Sequence, residues 1–242
     1  MTSNAIQQRL TACGIPCDAA LAERLATYMR LLAEWNQVMD LTAVTEEDET
    51  LDRHFADSLA ALTVPGLIPQ TGALADVGTG AGFPGLPLAM ACPELRVTLI
   101  DAQRKRLDFL QAVVEATGTR NVTLLHLRAE DAGHDAALRQ RFDRVVARAV
   151  APLNVLSEYL LPLTKMGGMA LCWKGPALGD ELDAGRRAAR ILGGEALEPI
   201  PVNLPGRDWG HVLLPIRKIG PTAKAYPRKA GTPSKKPLGA AE

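Results

Sequence analysis

Apolar residues at Leu21, Leu25, Tyr28, Met29, Leu32, Trp35 and Met39 fall mostly three or four apart and trace one face of a helix. Asp18 stands where an N-cap is expected. A second helix is predicted from about Glu47 through "LDRHFADSLAAL", its leading acids suiting the positive end of the dipole. Residues 1–65 therefore read as a helical extension, closed by the turn-forming "VPGLIPQTG". The rhythm then changes. Short apolar runs at 73–77, 96–100, 122–127, 144–148, 168–173 and 211–216 predict strands. Helical patterns over Pro84–Ala91, Gln103–Thr117, Pro152–Thr164 and "DELDAGRRAARIL" lie among them. Strands apolar on both sides belong to a parallel sheet with both faces covered. Successive right-handed crossovers wind such a sheet into a doubly wound α/β fold, predicted over 66–219. Beyond Gly220 the periodicity ends, and 220–242 reads as a basic, flexible tail.

Composition changes this picture little. The chain has 242 residues, 47% hydrophobic and 22% charged, which suits a globular protein that needs no staples. Cys13, Cys17, Cys92 and Cys172 are scattered, so neither a disulfide ladder nor a zinc site is expected, and no metal is proposed. No signal-peptide pattern opens the chain and no apolar run approaches the ~20 residues of a membrane span, so a cytoplasmic protein is expected. The absence of heptads makes a monomer the default. Charge is uneven although the formal net is zero. Residues 1–60 carry ten acids and four bases, whereas 217–242 carry seven bases and one acid. That basic end either meets a polyanion or simply solubilises the chain.

The chemistry concentrates in "LADVGTGAGFPGLPLA", 74–89. Gly80-x-Gly82-x-x-Gly85 has dinucleotide-loop spacing, and Asp76-x-Gly78-x-Gly80 suits S-adenosylmethionine. A carboxylate beside the turn repels a pyrophosphate and attracts an ammonium or sulfonium, so Asp76 favours the second ligand. The alternative is that Asp76 caps the turn's own amides. Asp101 follows the next strand and stands where a carboxylate reaches ribose hydroxyls in either cofactor class. Glu130 follows the third strand, beside an adenine or as a solvated surface acid. The main rival reading is a nicotinamide-dependent oxidoreductase on the same loop; a methyltransferase of a small molecule or protein and a non-catalytic RNA-binding factor are the others.

With these residues in place, the chain resembles the RsmG (GidB) family of bacterial 16S rRNA guanine-N7 methyltransferases. The resemblance rests on "WNQVMDLTAV" (35–44), "RHFADSL" (53–59), the glycine turn, "DAQRKRLDFL" (101–110), "RAE" (128–130), "ARA" (147–149), "KG" (174–175) and "YPRKAGTPSKKPL" (226–238). Eight motifs in register are specific. Asp40 departs from the family's Asn. The resemblance implies a class I methyltransferase core, with a doubly wound, mostly parallel seven-stranded sheet behind an N-terminal helical extension. It implies S-adenosyl-L-methionine as cofactor, with contacts at Gly78, Phe83, Asp101, Ala129, Glu130 and Arg148, beside Asp76 and Gly80 read from the turn. The implied partner is 16S rRNA, the 30S subunit or an assembly intermediate.

The residues themselves suit an acceptor that needs little help. No Asn/Asp-Pro-Pro-aromatic loop follows the fourth strand, and Cys172 lies inside an apolar run. Guanine N7 offers an in-plane lone pair, so positioning in line supplies the acceleration and no catalytic residue is assigned. Arg53 and His54 hold RNA or lock the extension to the core. Lys174 meets a phosphate or ends a strand in solvent. Tyr226, Arg228, Lys229, Lys235 and Lys236 fit a tail that orders on RNA. Truncation after Ile219 is expected to weaken RNA binding and spare the cofactor.

Overall fold

The structure, a computed structural model, describes residues 1–240; the last two residues of the predicted tail lie outside the described part. Helix α1 spans Ser3–Ala12 and α2 spans Ala19–Asn36, with Asp18 Oδ1 accepting from the Leu21 amide at 2.7 Å. The predicted helix was longer, reaching Met39. It stops because Asn36 Oδ1 accepts from the amides of Leu41 and Thr42, both at 2.9 Å, and turns the chain back on itself. A continuous helical stretch follows: α3 (Glu47–Thr50), a π-type turn over Leu51–Ala56, α4 (Asp57–Leu59) and a 3₁₀ turn over Ala60–Thr63.

The rest is one sheet and its covering helices. In chain order these are β1 (Gly72–Val77), α5 (Gly85–Ala91), β2 (Leu95–Asp101), α6 (Arg104–Thr117), β3 (Val122–His126), α7 (Ala129–His134) and β4 (Phe142–Arg148). Then come α8 (Leu153–Leu160), β5 (Thr164–Lys174), α9 (Leu178–Ile191), β6 (Gly194–Ala196), β7 (Ile200–Pro201), β8 (Val212–Lys218) and α10 (Thr232–Lys235). Strands run in the order β3-β2-β1-β4-β5-β8-β6, the expected seven, and two-residue β7 adds an eighth beside β8. Strands β1 to β5 pair in parallel, and β8 runs antiparallel to β5.

The apolar runs are continuous because both faces are buried. Leu74, Leu99, Val146 and Leu171 face one cluster, while their neighbours Ala75, Ile100, Val145 and Cys172 face the other. The first cluster also holds Ile6, Leu25, Tyr28, Leu32 and Phe55, so the extension shares its core with the sheet.

The tail is not a free coil among the described residues. Arg139 donates to the carbonyls of Thr222 and Tyr226, each at 2.8 Å, and Asn154 Nδ2 donates to Leu238 O at 3.1 Å. Composition could not show this, because the tail's partners lie on α7, α8 and the loop after α7.

Candidate active site

The chain winds β1-β2-β3 to one side and β4-β5 to the other, so the strand order reverses between β1 and β4. Ligands of doubly wound sheets sit at that reversal, outside the carboxyl ends of the strands. A cleft of about 390 Å³ opens there. Gly78, Asp101, Gln103, Arg106, Ala129, Glu130 and Ala149 are among its lining residues. A larger cavity of about 830 Å³ lies between α2 and residues 42–50, away from this edge and from the glycine turn.

The glycine turn answers the ligand question. The amides of Gly78 and Thr79 both donate to Ile100 O, at 2.9 and 3.1 Å. Gly80 N donates to Asp101 Oδ2 at 2.9 Å, Gly82 N and Phe83 N to Thr79 O, and Gly85 N to Asp76 Oδ2 at 2.8 Å. A pyrophosphate needs amides that face it unpaired. These six are spent within the fold, and Asp101, paired with Arg106 at 3.5 Å, sets its carboxylate against the turn. The arrangement fits a nucleoside cofactor without phosphates. Asp101 is 3% exposed and also accepts from Gln103 N at 2.8 Å, so its carboxylate is fixed in the cleft wall.

Asp76 is placed differently from the arrangement argued for it. Its side chain is fully buried, and Oδ2 accepts from Thr79 Oγ1 and Gly85 N, both at 2.8 Å. Burial pushes its carboxyl up to about 6, against the opposing hydrogen bonds from Thr79 and Gly85. It caps the turn, and its Oδ1 has no hydrogen-bond partner among the described residues. Two of the glycines serve packing rather than ligand approach. A Cβ at Gly82 would lie 2.3 Å from the Tyr28 hydroxyl, and one at Gly85 would lie 2.7 Å from Asp76. Gly78 and Gly80 have φ of +71° and +60°, which favours glycine at both.

Arg148 and Phe83 sit where the extension meets the sheet. Arg148 Nη1 donates to Arg53 O at 2.8 Å and to Asp57 Oδ2 at 3.1 Å, and its guanidinium stands 5.0 Å from the Phe83 ring centre. His54 stacks on Phe83 at 4.8 Å and meets Thr42 Oγ1 at 2.7 Å. Asp57 is the hub that sequence reading missed. It is 1% exposed, receives His211 Nδ1 at 2.9 Å, and its carbonyl accepts from Trp173 Nε1. Its only sequence signal was its place in "RHFADSL".

Burial and the nearby Arg148 charge lower the His54 pKa to about 4, although Asp57 opposes them. The unfolded imidazole takes a proton near pH 6.5 and the folded one near 4, so acid favours unfolding between those values. Stability is expected to fall by roughly 3 kcal/mol as pH drops from 7 to 4 through this group alone. Urea melts across that range should show a shallower slope for His54→Gln.

The other basic candidates divide. Arg53 pairs with Glu49 at 3.3 Å and lies 4.5 Å over Trp209. Lys174 is held by Glu181 at 2.5 Å. Arg228 points inward onto Glu158, and Tyr226 is half-buried. Lys229, Lys235 and Lys236 are exposed. Arg53, His54, Phe83 and Arg148 are thus gathered in one place, Lys174 ends β5, and the tail crosses α7 and α8. Among the described residues, no helix is long and apolar enough to cross a membrane, and no group of three His, Cys, Asp or Glu is placed to hold a metal.

This sheet order, with carboxylates at successive strand ends around an amide-spent glycine turn, defines a methyltransferase-type nucleoside-binding fold. Solved structures share it. A 16S rRNA (adenine(1408)-N(1))-methyltransferase from Catenulisporales acidiphilia superposes with a TM-score of 0.51 at 19% identity, covering 75% of this chain and 96% of that one. Pyrococcus horikoshii TYW2 in complex with MeSAdo gives 0.53 at 15% identity, covering 74% and 66%.

Sequence then narrows the class to a family. The family model GidB, rRNA small subunit methyltransferase G, matches residues 21–203, and the chain belongs to that family. Proteins named Ribosomal RNA small subunit methyltransferase G are similar over nearly the whole length. The one from Alkaliphilus metalliredigens is 46% identical across 93% of this chain and 94% of its own, and the one from Lactobacillus johnsonii is 43% identical across 98% and 100%.

Proposed function

We propose that this chain transfers a methyl group from S-adenosylmethionine to the N7 of one guanine of 16S rRNA, at position 527. The observation that carries the reading is the amide-spent glycine turn beside a cleft that holds Asp101 and Glu130, in a chain of this family. The bound cofactor supplies an electrophilic methyl on a sulfonium. Asp101 and Glu130 are the acceptors for its ribose hydroxyls and adenine amine. Gly78 and Ala129 offer backbone at the same wall, and Gly80 acts through the amide that holds Asp101. Phe83 and Arg148 do not line the cleft and stand instead at the seam with the extension.

The acceptor chemistry follows from what these residues can do. Attack by the N7 lone pair releases no proton, so alignment alone lowers the barrier. A pyrimidine C5 acceptor would need a thiolate. Cys172 is fully buried and burial pushes its thiol up to about 12, which supports the purine reading. The Arg148 charge is paired with Asp57, so it does not oppose the cation formed on the purine.

Substrate RNA, as naked 16S rRNA, a 30S subunit or an assembly intermediate, meets the exposed lysines of the tail. The enzyme works as a monomer in the cytoplasm. Changing Lys229, Lys235 and Lys236 together to alanine is expected to lower the slope of log affinity against log salt by about 2. Filter binding over a salt series checks this. The central test is methylation of 16S rRNA and of 30S subunits, followed by mapping of the base. Label on one guanine N7 is expected, and transfer to any other atom would overturn the reading.

A further inference from the structure

The tail does more than present lysines. Two of its residues, Gly231 and Ser234, line the cleft that holds Asp101 and Glu130. Gly231 N donates to Glu130 Oε1 at 3.0 Å, and the Ser234 hydroxyl lies 3.2 Å from the Tyr159 hydroxyl, which also lines the cleft. Glu130 is 6% exposed, and its Oε2 makes no hydrogen bond among the described residues.

The stretch is anchored on both sides. Upstream, Arg139 binds the carbonyls of Thr222 and Tyr226, His134 Nε2 meets Pro227 O at 2.6 Å, and Arg228 grips Glu158. Downstream, Asn154 binds Leu238 O. None of the tail's cations is on the cleft wall; its two lining residues are uncharged. The charges on the cleft wall come from the core instead, as Asp101 and Glu130 beside Arg106 and Arg128.

We propose that residues 226–238 form a wall of the cofactor site, where the Gly231 amide and Ser234 hydroxyl position Glu130 and Tyr159 against the nucleoside end. The proposal rests on the cofactor reading above. It reverses the expectation that removing the tail spares the cofactor.

The test is calorimetry with S-adenosylmethionine and S-adenosylhomocysteine on full-length protein and on a chain ending at Lys229. That truncation keeps the Arg139, His134 and Arg228 anchors and drops Gly231 and Ser234 together with the Leu238 anchor. Both ligands are expected to bind about tenfold more weakly or worse. Tyr159→Phe, which keeps the ring and the packing, is expected to weaken both about threefold. Lys224→Ala, in the same tail but away from the cleft, is expected to bind as the full-length protein does. Equal affinity of the full-length and truncated chains would overturn the inference and leave the cofactor reading standing. A full-length chain that binds neither ligand would overturn both. Should the truncation unfold, as circular dichroism would report, unchanged binding by Tyr159→Phe would overturn it instead.

Discussion

Arg228→Ala is expected to destabilise the folded chain by roughly 3–5 kcal/mol, the usual cost of leaving a buried charge without its partner. The side chain of Glu158 is fully buried. Arg228 Nε reaches Oε1 at 2.9 Å, Nη2 reaches Oε2 at 2.6 Å, and the Arg228 amide reaches Oε1 at 2.7 Å. Alanine would keep only the amide. Lysine restores a charge without the fork, so Arg228→Lys should recover part of the loss. Adding Glu158→Gln to Arg228→Ala should recover more, because it removes the stranded charge. Urea unfolding of these variants against Lys235→Ala, expected within about 0.5 kcal/mol of wild type, measures the effect. A loss below about 1 kcal/mol would mean that Glu158 is hydrated in solution.

That ion pair also shows where sequence reading reaches its limit. The strands were legible because each is apolar on both faces, and alternate residues such as Leu74 and Ala75 do enter different clusters. Strands β6 and β7 were not, since three and two residues carry no period and owe their place to pairing with β8. Asp101 was legible because the end of a strand fixes where a carboxylate goes. The reason for Gly82 was not, since Tyr28 lies 54 residues earlier on another element. Arg228 and Glu158 are 70 residues apart, and a basic tail reads the same whether its arginine points to solvent or to a buried acid. Asp76 had two readings that differ only in burial, which local sequence does not encode.

Asp101→Ala is expected to weaken S-adenosylmethionine binding about 100-fold, equivalent to about 2.7 kcal/mol. Two losses add. The Gly80 and Gln103 amides, now held at 2.9 and 2.8 Å, would lose their acceptors, and one unsatisfied buried donor alone costs about 1–3 kcal/mol. The cleft would also lose the acceptor that meets the ribose hydroxyls. Asp101→Asn separates the two only in part, because its amide oxygen can still accept from Gly80 while its NH2 is set against the Gln103 amide and the charge is gone. It should bind about tenfold more weakly than wild type, between the other two. Calorimetry with melting curves recorded in parallel reads affinity apart from stability. NAD serves as the paired ligand, because the spent amides and the Asp101 charge predict no measurable binding of a pyrophosphate. If Asp101→Ala bound the methyl donor as tightly as wild type while NAD bound to both, the turn would be a dinucleotide site, and the methyl-transfer chemistry would have to be sought elsewhere.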